Sequence, residues 1–116
     1  MLPGTRDITI YRGDTFVLNA RLRQKTIDGQ AGLPLDLTGA TVSAQIRVST
    51  ESTGVPLATF TGDLGTDIGT VQLSLTPLQT STLVPGVYDM QVTFADGTVT
   101  TFLKGSVSVI PDVTHA

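Results

Sequence analysis

The residue types that carry most nucleophilic and acid–base catalysis are scarce in this sequence. It contains no cysteine and a single histidine, His115, one residue before the last. A catalytic histidine has to be held in a pocket by a neighbouring group, and side chains at chain ends are seldom held in this way. We therefore interpret His115 as a tail residue, and we expect neither a catalytic triad nor a metal site built from cysteine or histidine.

The carboxylates offer little more for catalysis. The one glutamate, Glu51, falls in a predicted turn, and most aspartates lie in glycine-rich turns, where their side chains bond to the backbone. A glycosidase needs two carboxyls facing across a cleft, and its acid needs an apolar pocket. The sequence supplies neither feature locally, although a pair assembled from distant positions stays open. We predict no catalytic residue and no cofactor or cofactor-binding residue.

Two short motifs suggest binding sites. Asp63 and Asp67 stand four residues apart among glycines, but this segment lacks the middle acid and the terminal glutamate of an EF-hand loop. It predicts a β-turn loop and no metal ligand. The tripeptide Arg12-Gly13-Asp14 matches the one that integrin ligands display, yet Gly-Asp is also ordinary turn chemistry. It predicts a tight turn between two strands.

Length and composition predict one domain over residues 1–116 with a single hydrophobic core. The net charge of −3 is unsuited to the phosphate backbone of nucleic acids. No apolar run is long enough to span a membrane, and the first residues lack the pattern of a secretory signal. We expect no nucleic-acid partner, no membrane partner and no small-molecule substrate. Only 15% of the residues are charged, a composition suited to packing within an assembly.

Apolar and polar residues alternate with period two in short segments separated by turns. This pattern predicts an all-β fold, an antiparallel immunoglobulin-like β-sandwich of about seven strands. Thr76 and Pro77 predict the N-cap and first residue of a short helix that ends near Leu83. Residues 25–39 and 62–69 are predicted connections. The predicted strands cover residues 7–11, 15–24, 41–48, 57–61 and 71–75, followed by the two strands of a C-terminal hairpin that ends near residue 109.

The C-terminal hairpin has a predicted register. The dipeptide Asp96-Gly97 lies between two alternating segments and favours a two-residue turn with positive φ at both positions. The resulting cross-strand pairs are Met90 with Leu103, Val92 with Thr101 and Phe94 with Val99. In this register Phe102 points away from the core, which makes it a candidate contact residue.

Aromatic and turn residues supply the remaining candidates. We predict Tyr11, Arg12 and Phe102 as interface residues. Tyr88 is a candidate for the tyrosine corner of immunoglobulin-like domains. A sugar-binding face uses exposed aromatic rings, and this chain has no tryptophan and two tyrosines.

Four segments carry a resemblance to a known family: ITIYRGDTF at 8–16, PLDLTGA at 34–40, PGVYDMQV at 85–92 and DGTVTTFLKGSVSV at 96–109. The chain resembles the small β-sandwich virion proteins of tailed bacteriophages, including the N-terminal modules of upper-baseplate proteins. The resemblance implies a non-enzymatic virion protein that docks onto other virion structural proteins, as part of a symmetric multi-copy assembly, through sheet edges, loops and termini. No catalytic residue is carried over.

Three alternatives to a tail, baseplate or fibre-attachment protein stay open at this stage. A capsid decoration protein is the nearest, and it differs in location and copy number. A freestanding adhesion or carbohydrate-binding sandwich is the second, and it calls for exposed aromatic residues in the loops. A small hydrolase is the third, and it requires a convergent carboxylate pocket.

Overall fold

The computed structural model of this protein describes residues 4–23, 34–51 and 54–111, which form two β-sheets and one short helix. His115 and residues 25–33 of the predicted connection lie outside the described residues. The elements in chain order are β1 (Gly4–Thr5), β2 (Ile8–Tyr11), β3 (Phe16–Arg21), β4 (Thr41–Arg47), β5 (Ala58–Thr59), β6 (Thr61–Leu64), β7 (Thr70–Leu75), α1 (Pro77–Thr80), β8 (Gly86–Thr93) and β9 (Val99–Ile110).

The two sheets pack face to face as a β-sandwich, which confirms the predicted fold class. The larger sheet has the order β1-β9-β8-β4-β5, with β2 also pairing with β9, and the smaller sheet has the order β3-β7-β6. The neighbours β3-β7-β6 and β4-β8-β9 correspond to strands B-E-D and C-F-G of an immunoglobulin sandwich. Two pairings differ from the antiparallel prediction. β1 and β2 lie parallel to successive parts of β9.

The core forms between the inner faces of the two sheets. Ile46, Met90 and Val92 of the larger sheet are completely buried, and Leu73 of the smaller sheet is 1% exposed. Burying a side chain of this size contributes about 1.5–3 kcal/mol. The ring of Phe60 lies between the sheets, with ring centroids 6.2 Å from those of Phe16 and Tyr88. The core therefore follows from the period-two alternation of the strands.

The predicted loop at 62–69 is partly a strand. The backbone N–H of Phe60 donates to the carbonyl of Ala44, and the chain then leaves the larger sheet and pairs with β7 as β6. One segment thus serves as an edge strand in both sheets. Sequence pattern missed β6 because Gly62 and Asp63 disfavour strands and their partners are supplied by tertiary pairing.

The helix has the predicted N-terminus but is shorter. The Thr76 hydroxyl accepts from the Gln79 N–H, and the Gln79 side chain accepts from the Thr76 N–H, so the two residues form a capping box. The helix ends at Thr80 rather than near Leu83. Among the described residues, no helix is long and apolar enough to cross a membrane.

The C-terminal hairpin departs from its predicted register at two places. The Phe94 N–H donates to the Thr98 carbonyl and the Gly97 N–H donates to the Phe94 carbonyl, so three residues, not two, form the turn. Gly97 has φ 92°, as expected for the bulge position of such a loop.

A β-bulge then restores part of the predicted pairing. Met90 pairs with Leu103 as predicted, but Val92 pairs with Thr100. Phe102 is the extra residue of the bulge. The prediction that Phe102 points away from the core is therefore wrong, because a bulge interrupts the alternation of faces. Phe102 is half-buried and packs against the core, with its ring centroid 6.2 Å from that of Phe94.

Candidate interaction surfaces

The turn around Arg12 is held rigidly against the helix. The Arg12 Nε donates to the carbonyl of Leu83 at 2.9 Å. The hydroxyl of Thr80, a completely buried residue, donates to the Asp14 carbonyl at 2.8 Å and accepts from the Gly13 N–H at 3.1 Å. The Arg-Gly-Asp tripeptide is thus a tight turn between β2 and β3 with a half-buried arginine. Sequence pattern missed Thr80 because its partners lie more than 60 residues away.

Tyr11 lies at the end of the larger sheet, beside Ile110. The two residues are parallel partners in β2 and β9, and their side chains share the outer face of the sheet. Tyr11 is 52% exposed and Ile110 is 38% exposed. This pair is an exposed apolar spot in a polar surrounding, and the interface role of Tyr11 stays a prediction. The same holds for Arg12 and Phe102, whose side chains are also used within the fold.

A third candidate surface is the outer face of β4, β8 and β9, which we call the polar face. Gln45 pairs with Asp89 and Asp89 pairs with Lys104, so an acid lies between an amide and an amine across three strands. The Arg47 side chain donates to Gln45 Oε1 at 2.9 Å and to the Gly54 carbonyl at 2.5 Å. An open groove of about 500 Å³ lies over this face. The other polar residues that line this groove include Ser43, Ser49, Thr50, Gln91 and Thr101.

The polar face carries groups that can form hydrogen bonds in both directions. Short hydroxyls and amides both donate and accept hydrogen bonds, and Lys104 and Asp89 add one charge of each sign. Period-two alternation explains why Ser43 and Gln45 of β4 point outward. Sequence pattern did not predict that β4, β8 and β9 lie side by side and form one face, because the order of strands in a sheet depends on long-range pairing.

Three aspartates serve as backbone acceptors. Asp7 Oδ1 accepts from the Ser106 N–H at 3.0 Å, and Asp36 and Asp96 each accept from the N–H of the residue two positions later. Hydrogen bonds from Ser106, Thr38 and Thr98 respectively lower the pKa of the three carboxyls. A general acid requires the opposite, a raised pKa in an apolar pocket. These carboxylates therefore suit structural roles.

The two acids of the candidate calcium motif lie in different elements. Asp63 lies in β6 opposite Gln72. Asp67 lies in the following turn, where its carbonyl accepts from the Thr70 N–H at 3.3 Å and from the Thr70 hydroxyl at 2.7 Å. Across the ranges 4–23, 34–51 and 54–111, no three acidic or histidine side chains come together as metal ligands.

Tyr88 does not form a tyrosine corner. Its hydroxyl donates to the carbonyl of Arg6 at 2.5 Å, 82 residues away, whereas a tyrosine corner bonds to the backbone a few residues upstream. Burial is the main reason why the pKa of Tyr88 is raised, with a smaller opposing effect from the positive charge of Arg6. Tyr88 fixes the N-terminal segment to the larger sheet.

The comparisons with known proteins give no match. No protein-family model matches the chain, and no curated protein sequence is significantly similar to it.

Proposed function

We propose that this protein is a non-enzymatic structural protein of a tailed-bacteriophage virion. In this proposal it docks onto larger structural proteins in the tail, baseplate or fibre-attachment apparatus, as one copy in a symmetric assembly. The proposal starts from the resemblance that segments 8–16, 34–40, 85–92 and 96–109 carry.

One structural observation carries the non-enzymatic part of the proposal. Three described side chains that could do chemistry are instead engaged in holding backbone segments together. Arg12 bonds to a carbonyl, Asp7 bonds to an N–H, and Tyr88 bonds to the carbonyl of Arg6 between β1 and β2. A catalytic group must instead present a free lone pair or proton toward a substrate. This arrangement favours a scaffold over an enzyme.

The polar face supports docking to protein rather than to sugar. A typical protein interface has an apolar centre surrounded by polar groups that form dispersed hydrogen bonds. The polar face offers such groups over β4, β8 and β9, and Tyr11 and Ile110 offer an apolar contact on the outer side of the same sheet. Sugar binding relies on rings laid flat against the ligand, which the polar face does not supply. We therefore favour docking over a freestanding carbohydrate-binding module.

Quantifying this protein in purified virions of the encoding phage tests the proposal. Heads and tails are separated, and the tryptic peptide of residues 13–21 is measured against an isotope-labelled standard, with a major capsid protein and a tail-tube protein as internal references. We expect the peptide in the tail fraction at a low copy number that follows the tail symmetry. Enrichment in heads, in the many copies of a shell lattice, would replace the tail assignment with capsid decoration. Absence from both fractions would contradict the virion proposal.

A further inference from the structure

Strand β3 has a free edge because the N-terminal strands pair elsewhere. In the constant-type immunoglobulin sandwich, strand A pairs with strand B. Here β1 and β2 pair with β9 instead, and β3 pairs with β7 alone. Within residues 4–23, 34–51 and 54–111, no strand pairs with the other side of β3. An edge of six residues, Phe16–Arg21, is left open.

The hydrogen-bonding groups on this edge can be assigned from the register. The Leu22 N–H donates to the Gly69 carbonyl at 2.7 Å, on the same antiparallel ladder that pairs Ala20 with Val71. Since the groups of alternate residues point to opposite sides of a strand, Phe16, Leu18 and Ala20 face β7. The N–H and carbonyl groups of Val17, Asn19 and Arg21 therefore point away from the sheet, as on a template for another strand.

The side chains along this edge are basic and apolar. The Arg6 Nη1 donates to the Asn19 carbonyl at 3.2 Å, which places its guanidinium directly on the edge. Arg21 is exposed on the outer face, and Val17 is 47% exposed there. Of the acids near this face, Asp63 is two strands away, beyond Gln72, and Asp67 lies in the turn before β7, where it lines the same groove as Arg21. The edge thus has local positive charge in a chain whose net charge is −3.

We propose that the free edge of β3 accepts an extended acidic segment of a partner protein, which adds to the smaller sheet as a fourth strand. The backbone of that segment bonds to Val17, Asn19 and Arg21, and its N–H displaces the Arg6 guanidinium from the Asn19 carbonyl. A carboxylate of the partner then pairs with Arg6 or Arg21. This inference goes beyond the proposed function and does not rest on it, since the edge is a property of the fold.

The charges favour an acidic partner over a second copy of this chain. If two copies of the chain paired antiparallel through β3, with Asn19 opposite Asn19, the Arg6 guanidinium groups of both copies would lie at the contact between the two strands. Like charges across a strand pair are destabilising, whereas opposite charges stabilise the pair. These positive charges also disfavour pairing between the β3 edges of two copies, a role that charged residues often have on edge strands.

Peptide binding to the full chain tests the proposal. The probes are fluorescein-labelled, terminally blocked heptapeptides of alternating threonine and valine with one to three glutamates, measured by fluorescence anisotropy. Each has a counterpart with lysine in place of glutamate and one with alternate amides N-methylated. We expect saturable binding of the glutamate peptides, and a loss of about tenfold or more in both counterparts. Bound peptide should slow hydrogen exchange of the amides of Val17, Asn19 and Arg21.

Three variants locate the binding. Asn19→Pro removes an N–H that does not bond to β7, so the fold should persist while peptide binding is lost. Arg21→Glu should weaken the glutamate peptides by about fivefold to tenfold and strengthen the lysine peptides. Val55→Glu adds a negative charge at a side chain that is 92% exposed and lies away from β3, and it should leave binding unchanged.

Three results would overturn the proposal. The first is equal binding of glutamate and lysine peptides, and the second is the absence of binding by any glutamate peptide. The third is a dimer of the unmodified chain, seen by light scattering, that Asn19→Pro converts to monomer, since that result assigns the edge to a second copy.

Discussion

The hydroxyl of Tyr88 in β8 donates a hydrogen bond of 2.5 Å to the backbone carbonyl of Arg6, at the junction of β1 and β2. Gly105 pairs with Tyr88 across β8 and β9, and the absence of its side chain allows the Arg6 carbonyl to approach. Asp7 completes the junction by accepting from the Ser106 N–H. These five residues, which we call the N-terminal clamp, hold β1 and β2 parallel to β9 and so leave the edge of β3 open.

The first prediction concerns the Tyr88 hydroxyl. Tyr88→Phe keeps the buried ring but removes the hydrogen bond to Arg6, and we expect it to lower the free energy of unfolding by about 1 kcal/mol. Urea denaturation of both proteins at neutral pH measures the difference. Tyr11→Phe, which alters an exposed tyrosine, is the matched control and should change stability by less than about 0.5 kcal/mol.

The same variant should alter stability at alkaline pH. Because burial raises the pKa of Tyr88, the folded state favours the neutral phenol. The stability that this contributes is complete below the ordinary pKa of tyrosine, about 10, and declines as pH rises from there through the raised pKa. Tyr88→Phe should therefore lose less stability between pH 9 and pH 11 than the unmodified protein. An identical alkaline decline in both proteins would contradict the assignment.

The second prediction concerns acid stability and Asp7. Hydrogen bonds from Ser106 lower the pKa of Asp7 in the folded state, so its contribution is complete above the ordinary pKa of aspartate, about 4, and is lost as pH falls through the lowered value. Asp7→Asn should be less stable than the unmodified protein at pH 7 and should show a weaker decline on acidification. Urea denaturation at several pH values between 7 and 2 measures this. Parallel pH profiles in the two proteins would contradict it.

The third prediction concerns the close packing at Gly105. A β-carbon at this position would collide with the Arg6 carbonyl, so Gly105→Ala should displace the N-terminal strands and cost about 1–3 kcal/mol. Gly54→Ala is the matched control, since its β-carbon would meet no atom within 4 Å. Thermal denaturation compares the two variants. Equal melting temperatures would show that the clamp tolerates a methyl group.

The fourth prediction concerns the Thr80 hydroxyl beneath the Arg12 turn. Thr80→Val keeps the shape but leaves the Gly13 N–H and the Asp14 carbonyl without this partner, and we expect a loss of about 1–3 kcal/mol. Hydrogen exchange of the Gly13 amide should accelerate in this variant. Thr80→Ser, which retains the hydroxyl, should keep that amide protected, and unchanged exchange in both variants would argue against the hydrogen bond.

Much of the sandwich could be predicted from local pattern. Alternation placed Ile8 and Ile10, and likewise Ala44 and Ile46, on buried faces, because successive side chains of a strand point to opposite sides of its sheet. The N-cap at Thr76 was also predicted correctly, because an N-cap depends only on the first residues of its helix. The hairpin register was wrong at Val92 because the three-residue turn shifts the pairing by one residue, and the bulge at Phe102 shifts it back, so that Met90 pairs with Leu103 as predicted.

The sequence by itself determined most of the strands, their buried faces and the start of the helix, since each depends on residues within a few positions of one another. Only the tertiary structure decided the parallel pairing of β2 with β9, the N-terminal clamp, the union of the polar face and the open edge of β3. These features join residues as far apart as Arg6 and Tyr88. The hydrogen bonds and contacts that stabilise these features form only once the two sheets have packed together. Local alternation of residue types therefore cannot encode them.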